Sequence, residues 1–151
     1  MALLRRRSQV ALQASLLLAL EPNAGSRRVR DLAAEIGVGA AYLAKILENL
    51  TRTGLLHGVR GPGGGVHLAR PASEITPWEV VAAVEPGSEL QDCFLGFKAC
   101  DSSRPCPLHD AWSPIRSQIL DMLKNRSLRE VAFEARGKGV LGVEPSSQPG
   151  T

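Results

Sequence analysis

The sequence predicts a mostly α-helical protein with one small β-hairpin. Apolar residues recur at three- and four-residue spacing in several segments, which is typical of amphipathic helices. Two short apolar segments flank a glycine-rich stretch, which predicts a hairpin. Because a chain of 151 residues with 44% hydrophobic residues can bury one modest core, we expect one main globular domain with attachments.

Three helices are predicted in the first half of the chain. The first spans residues 8–20 and ends where Pro22 and Gly25 interrupt the apolar pattern. A short second helix stops at Gly37, and a third begins at Gly39. Two short helices joined by such a brief turn have the proportions of a helix-turn-helix.

A hairpin is predicted directly after the third helix. Residues 55–59 and 66–69 are expected to form its strands, with the glycine-rich segment 60–65 as its tip. The tip is not predicted to bind nucleotides, because it lacks the Gly-Lys-Ser/Thr ending of a phosphate-binding loop. A hairpin in this place is the wing of a winged helix-turn-helix.

The second half is predicted to contain a long amphipathic helix between two shorter ones. A capping box at Thr76 predicts a helix over 77–84, and another at Ser127 predicts a last helix over 128–135. Apolar residues at helical spacing predict the long helix over 110–125. We expect it to bury its apolar stripe against a second copy of the chain, as a dimerisation helix.

These elements divide the chain into four predicted parts. They are a winged helix-turn-helix DNA-binding domain at 1–86, a cysteine-rich loop at 87–109, the dimerisation helix and short C-terminal helix at 110–136, and a disordered tail at 137–151.

Positive charge is concentrated in the first half, although the net charge is only +3. The start of a recognition helix meets base edges, so Tyr42 and Lys45 are its polar candidates, beside small residues that permit close approach. Arginines are expected to contact phosphates, and Arg60 to reach a minor groove. An ordinary solvated surface would give the same pattern at any single arginine. The residues predicted to contact double-stranded DNA are Arg28, Ala40, Ala41, Tyr42, Lys45, Arg52, Arg60, Gly63 and Gly64.

All three cysteines fall in one loop, together with a histidine. Cys93, Cys100 and Cys106 are followed by His109, and these four side chains can surround one metal centre. Asp92, Asp101 and Asp110 compete for the fourth position, but imidazole is the better partner for thiolates. Zinc could use the same four ligands, and a thiol switch could use two of them.

Several other functional classes are not expected. The longest apolar run is too short to span a bilayer, and no cleavage site follows it, so we predict a cytoplasmic protein without membrane partners. No Ser-His-Asp set or paired-carboxylate arrangement occurs at workable spacing, so we do not expect an enzyme.

The wing and the helix after it resemble those of the Rrf family of bacterial winged-helix transcription regulators. The resemblance covers the first helix to about Glu130, and the motifs that carry it are Tyr42-Leu43, Gly54-Leu55, Arg60-Gly61-Pro62-Gly63-Gly64-Gly65, Leu68-Ala69-Arg70-Pro71, Glu79-Val80 and Ala83-Val84-Glu85. Family members include iron-sulphur cluster regulators and nitric-oxide sensors. The resemblance therefore implies a homodimer that binds a palindromic operator and senses iron, redox state or nitric oxide.

The same resemblance implies the ligands of a cluster. The three loop cysteines match those that hold iron-sulphur clusters in the family, and His109 matches the fourth ligand of its two-iron regulators. This favours a 2Fe-2S cluster over a 4Fe-4S cluster. The chain departs from the family in four places: one extra residue separates Cys93 from Cys100, Val10 stands where a tyrosine is common, His67 replaces a wing tyrosine, and Ala44 replaces a recognition-helix glutamate.

Two other functions remain open on the sequence. One is a winged-helix regulator with structural zinc or a thiol/disulfide switch in place of the cluster. The other is a cluster-carrying electron-transfer or assembly protein, which the wing and the basic first half disfavour.

Overall fold

The computed structural model describes residues 3–87, 90 and 93–141 and contains six α-helices and a two-stranded sheet in that part of the chain. The elements are α1 (Arg6–Leu20), α2 (Val29–Ile36), α3 (Ala40–Arg52), β1 (Leu56–Val59), β2 (Gly65–Leu68), a 3-10 turn (Ala72–Glu74), α4 (Pro77–Val84), α5 (His109–Lys124) and α6 (Leu128–Gly137). The predicted fold class is confirmed, and most predicted boundaries agree within two residues.

Helix α1 lies at the centre of the core. Val10, Ala11 and Ala14 are completely buried, and the helix contacts α3, α4 and α6. The Ser15 hydroxyl, also buried, donates to the carbonyl oxygen of Ala11 one turn earlier at 2.8 Å. The apolar stripe of α3 packs into the same core, and its members Leu43, Ile46, Leu47 and Leu50 are all buried.

A tight turn joins α2 to α3, as a helix-turn-helix requires. Helix α2 ends at Gly37, whose positive φ of 82° places it in the left-handed region. Its N–H donates to the Ala33 carbonyl oxygen at 2.8 Å, which satisfies one of the last carbonyls of the helix.

The hairpin is antiparallel and is joined by a third segment that the sequence did not predict. His57 stands opposite His67 in the register, and Leu56 opposite Leu68. Arg27, between α1 and α2, pairs with Val66 through two backbone hydrogen bonds of 2.8 and 2.9 Å. The wing is therefore fixed to the start of the helix-turn-helix as well as to α3.

Two capping boxes hold α4 and α6 as predicted. The hydroxyls of Thr76 and Ser127 accept hydrogen bonds from the backbone N–H groups three residues later. The carboxylates of Glu79 and Glu130 in turn accept the backbone N–H groups of Thr76 and Ser127. Helix α6 is then attached to the core, because the Leu128 N–H donates to the Ile75 carbonyl oxygen at 2.8 Å. Leu128 itself is completely buried.

The described part of the chain ends shortly after α6. Helix α6 reaches Gly137, and the half-buried Leu141 packs against the core. Residues 142–151, the rest of the predicted tail, lie outside the described residues. None of the described helices is long and apolar enough to cross a membrane.

Candidate metal centre and nucleic-acid interface

The three cysteines converge in the loop between α4 and α5. Their Sγ atoms all lie within 4.8 Å of one another, and each side chain is half-buried. The Sγ atoms of Cys93 and Cys106 are 3.5 Å apart. Within the part of the chain that the structure describes, this is the one cluster of three or more side chains of metal-ligand type.

A compact turn brings the last two cysteines together. The Asp101 carboxylate accepts the backbone N–H groups of Ser103 at 2.8 Å and Arg104 at 2.9 Å, and this holds the chain between Cys100 and Cys106. The Cys106 N–H then donates to the Cys100 Sγ at 3.3 Å. The backbone of the loop therefore brings these sulphur atoms close to each other.

The predicted fourth ligand, His109, lies beside Cys100, whereas the group of ligand atoms that all lie within 4.8 Å of one another contains only the three cysteines. His109 is the first residue of α5, and its N–H donates to the Cys106 carbonyl oxygen at 3.0 Å. Its Nδ1 lies 3.4 Å from the Cys100 Sγ. The carboxylate of Asp101 is already used by the loop, Asp110 is exposed, and Asp92 lies outside the described residues.

The environment of the thiols makes them unequal as acids. Partial burial alone would raise the pKa of Cys93, but hydrogen bonds from the Phe97 N–H, from the Cys106 thiol and from the Leu95 N–H lower it to about 7. At Cys100 the hydrogen bond from the Cys106 N–H lowers the pKa, whereas burial and the neighbouring thiols raise it by more. The net result is a raised pKa for Cys100, so Cys93 is the readier thiolate.

The donor set fits an iron-sulphur cluster in its chemistry. Thiolates hold iron in these clusters, and histidine replaces thiolates in some of them. Cys93, Cys100 and Cys106 offer three sulphur atoms around one point, and His109 adds an imidazole beside them. Thiolate and imidazole ligands also suit zinc, so the chemistry of these donors permits both.

The loop is packed against the helix that follows it. The rings of Phe94 and Trp112 lie 5.3 Å apart at an interplanar angle of 55°, a tilted aromatic contact. At the other end of α5, the Lys124 ammonium lies 5.2 Å from the centre of the Trp78 ring on α4. Helix α5 is therefore held to the cysteine loop at its start and to α4 at its end.

Large apolar side chains remain exposed along the loop and α5. Met122 is 62% exposed and Ile115 52%, although both belong to the predicted apolar stripe. Phe94, Leu95, Phe97 and Leu108 are exposed as well. A single chain therefore buries only part of the stripe, mainly through Leu123.

The predicted DNA-contacting residues of α3 lie at its exposed beginning. Ala40 and Ala41 form the first turn, and both are exposed. Tyr42 is 40% exposed, and Lys45 is exposed one turn later. The opposite side of α3 is buried, so only this polar side can meet a partner.

The other predicted DNA contacts are also accessible. Arg28 is the N-cap residue of α2, Arg52 ends α3, and Arg60 follows β1; all three are exposed. Gly63 is exposed at the hairpin tip. At Gly64 a Cβ would lie 2.4 Å from the Val59 carbonyl oxygen, so this glycine is needed for the tight turn itself.

One arginine near this surface has a structural role. Arg27 forms an ion pair with Glu35 of α2, and its side chain is only 19% exposed. Its carbonyl oxygen would lie 2.1 Å from a Cβ at Gly65, so the wing and Arg27 touch backbone to backbone. Arg27 therefore anchors the wing rather than offering its charge to a ligand.

Comparisons with known proteins agree with one another. The sequence profile of the Rrf2 family, described as an iron-dependent transcriptional regulator, matches residues 4–134. IscR of Pectobacterium atrosepticum, an HTH-type transcriptional regulator, is 31% identical over 140 residues, which is 93% of this chain and 83% of IscR.

Two solved structures share the fold. CymR of B. subtilis, the global cysteine regulator, superposes with a TM-score of 0.75 at 19% identity, covering 89% of this chain and 98% of CymR. The oxidized form of CymR from Staphylococcus aureus gives a TM-score of 0.69 at 24% identity, covering 87% of this chain and 96% of that protein.

Proposed function

This chain belongs to the Rrf2 family of DNA-binding transcriptional regulators, and from that premise we propose that an iron-sulphur cluster controls its binding to operator DNA. The proposed ligands are Cys93, Cys100, Cys106 and His109, and a 2Fe-2S cluster is favoured over a 4Fe-4S cluster. The protein would act as a homodimer on a palindromic operator. Its relatives are regulators rather than enzymes.

The observation that carries this proposal is the approach of three sulphur atoms within 4.8 Å on one loop. The similarity to IscR over 93% of the chain adds support. When bound, such a cluster would make the regulator responsive to iron supply, oxidation and nitric oxide. The four ligands are spread over the whole loop, so ligation would restrict its conformation from Cys93 to the start of α5.

The chain has a physical route from this loop to the proposed dimer interface. His109 is both a proposed ligand and the first residue of α5, so the position of the loop sets the start of the helix. Phe94 adds a side-chain contact to Trp112 in the first turn. Ile115 and Met122 on α5 are exposed, so a second copy of the chain would pack on this helix. A movement of α5 would then change the position of that second copy. The spacing between two wing domains would then change, and with it the fit to two half-sites.

For DNA recognition, we assign the start of α3 to the major groove. Tyr42 and Lys45 are its exposed polar residues, while Ala40 and Ala41 allow close approach. Arg28 and Arg52 would contact phosphates, and Arg60 at the wing would enter a minor groove. Replacing Lys45 or Arg60 by Ala should therefore weaken binding and reduce its salt dependence.

The decisive experiment is an absorption spectrum with iron and sulphide analysis on protein purified without oxygen. Wild type should be coloured and contain acid-labile sulphide, and Cys100→Ala should lose both. Ser102→Ala is the matched control, because Ser102 is exposed in the same loop. His109→Ala should shift the spectrum if it is the fourth ligand. A colourless wild type, even after reconstitution, would reject the cluster.

The dimer is tested separately by mass measurement in solution. Met122→Glu and Ile115→Glu place charge on the exposed apolar face of α5 and should give monomers. Ser117→Glu, at an exposed position on the opposite side of the same helix, should leave the dimer intact. Monomeric wild-type protein would contradict the proposed interface.

A second candidate function is a thiol/disulfide switch on the same fold. The Sγ atoms of Cys93 and Cys106 are 3.5 Å apart, so small side-chain movements would permit a bond. A hydroperoxide would supply the oxidising equivalents: the two thiols lose two electrons and two protons, and hydrogen peroxide is reduced to two waters. The likeness to CymR, whose oxidized form is among the similar structures, supports this alternative.

The two candidates differ in what oxidation leaves behind. In iron-free protein treated with hydrogen peroxide, mass spectrometry would detect a Cys93–Cys106 disulfide, and DNA affinity would change only if the switch is functional. Cys93→Ser should abolish the response, and Ser102→Ala should retain it. Structural zinc would instead give a colourless protein with one bound zinc ion per chain.

A further inference from the structure

The outer face of the hairpin carries two histidines directly opposite each other. His57 on β1 and His67 on β2 are register partners, and their ring centroids are 5.6 Å apart with planes inclined at 58°. Directly opposed residues of antiparallel strands project from the same face of a sheet. We propose that these two imidazoles form a binding site for a divalent transition-metal ion, separate from the cysteine loop.

The spacing of the rings suits one bridging ion. Two bonds of about 2.0–2.1 Å to a tetrahedral ion hold imidazole centroids about 5 Å apart. The observed distance of 5.6 Å is thus close to that of a bridged pair. Because His57 is exposed, its side chain can rotate and shorten the distance between the two ring centroids. Imidazole is a suitable ligand for zinc, nickel and copper ions.

A second contact prepares His67 as a ligand. Its Nδ1 lies 3.0 Å from the Ser26 hydroxyl oxygen. Metal-bound histidines commonly donate their other ring N–H to an oxygen atom, which fixes the tautomer and the ring orientation. When Nδ1–H donates to Ser26, the lone pair of His67 is on Nε2 and is available to a metal.

The surroundings can complete the coordination. His67, Ser26 and Glu21 line one open cavity of about 510 Å³, and Glu21 is exposed there. Arg70 lines the same cavity, but its guanidinium donates to the Glu79 carboxylate at 2.6 Å. Its guanidinium is therefore paired with a carboxylate. Water or the Glu21 carboxylate would fill the positions that the histidines leave open.

A metal on the wing would add positive charge to an element that we assign to DNA. This consequence rests on the proposed function, whereas the metal site itself does not. Charge near a phosphate strengthens binding to any sequence, so the metal would raise DNA affinity without changing specificity.

Copper(II) is the best probe, because imidazole sites generally bind it more tightly than other divalent ions of the first transition row. The parent protein is the full chain carrying Cys93→Ser, Cys100→Ser and Cys106→Ser, so that no thiolate competes. Competition with a chromophoric chelator gives the affinity, and electron paramagnetic resonance counts the bound nitrogens. We expect one copper ion held by two imidazole nitrogens.

Single substitutions then identify the ligands. His57→Ala and His67→Ala should each weaken binding at least about tenfold and remove one nitrogen, and Ser26→Ala should weaken binding about tenfold while both nitrogens remain. His109→Ala removes the third histidine of the chain and should change nothing. Circular dichroism checks that each variant folds, and His57, exposed on the hairpin, is the safest replacement. Equal affinity and nitrogen number in the parent, His57→Ala and His67→Ala would overturn the site.

The DNA consequence is measured on the same proteins. Copper should tighten binding of the parent to duplex DNA and have no such effect on His57→Ala. An equal response in both proteins would reject the link between the wing metal and DNA. The chelator competition involves neither DNA nor a cluster, so failure of the metal site is distinguishable from failure of the proposed function.

Discussion

The ring of Phe94 lies 5.3 Å from the ring of Trp112, and this contact joins the cysteine loop to the first turn of α5. Phe94 follows the first cysteine directly, and Trp112 is three residues after His109. The two aromatic side chains therefore connect the two ends of the candidate metal centre to each other and to the helix.

Removing this contact should weaken the coupling between cluster and DNA without removing the cluster. In Phe94→Ala we expect unchanged iron and sulphide content. The ratio of DNA affinities between loaded and iron-free protein should fall about two- to tenfold, because an aromatic pair contributes roughly 0.5–1.5 kcal/mol. Leu95→Ala, at the next exposed position, is the control. An unchanged ratio would show that the contact does not transmit the signal.

The cysteines of iron-free protein should differ in reactivity with pH. The pKa of Cys93 is lowered to about 7 and that of Cys100 is raised, so Cys93 carries more thiolate at neutral pH. Alkylation of Cys93 by iodoacetamide, followed by mass spectrometry of peptides, should rise with a midpoint near pH 7. Cys100 should react more slowly below pH 8. Equal rates at pH 7 would contradict the assigned hydrogen bonds.

A methyl group at Gly65 should destabilise the wing. Its Cβ would lie 2.1 Å from the Arg27 carbonyl oxygen and 3.0 Å from the Arg28 nitrogen, and backbone atoms cannot rotate away. We expect Gly65→Ala to lower the free energy of unfolding by about 1–3 kcal/mol in urea denaturation. Gly58→Ala has open space around its Cβ and should change stability by less than about 0.5 kcal/mol.

The stability of the protein should depend on Glu79 at acid pH. Burial tends to raise the pKa of Glu79, but hydrogen bonds from the Thr76 N–H and from Arg70, with the charge of Arg70, lower it below 4.5 overall. A carboxyl whose folded pKa is depressed stabilises the fold above its unfolded pKa, and this contribution is lost as the pH falls through the folded value. Wild type should therefore lose stability below about pH 5.

Glu79→Gln tests this pH dependence, because glutamine preserves the capping box without the charge. Its free energy of unfolding should fall less steeply than that of wild type as the pH decreases from 5 to 3. Glu48→Gln, on the exposed side of α3, is the control for the loss of one carboxylate and should keep the wild-type slope. Identical slopes for wild type and Glu79→Gln would contradict the prediction.

Local patterns in the amino-acid sequence were sufficient to predict the secondary structure and the position of the metal-ligand loop. The buried stripe of α3, the capping boxes at Thr76 and Ser127, and the glycine-rich tip are local patterns, and the forces behind them act within a few residues. The same holds for the four candidate ligands, which lie within one segment of 93–109. The hairpin directly after two short helices then predicted the winged-helix arrangement, which the structure confirms.

Which of these parts contact one another depends on long-range packing and was seen first in the folded chain. The pairing of Arg27 with Val66 joins residues far apart in the chain, and no local pattern encodes it. In the cysteine loop, spacing alone could not show that Cys93 approaches Cys106 while Cys100 approaches His109, because a loop of this composition has many accessible conformations. The strand register likewise placed His57 opposite His67, since a shift of one residue would move either side chain to the other face.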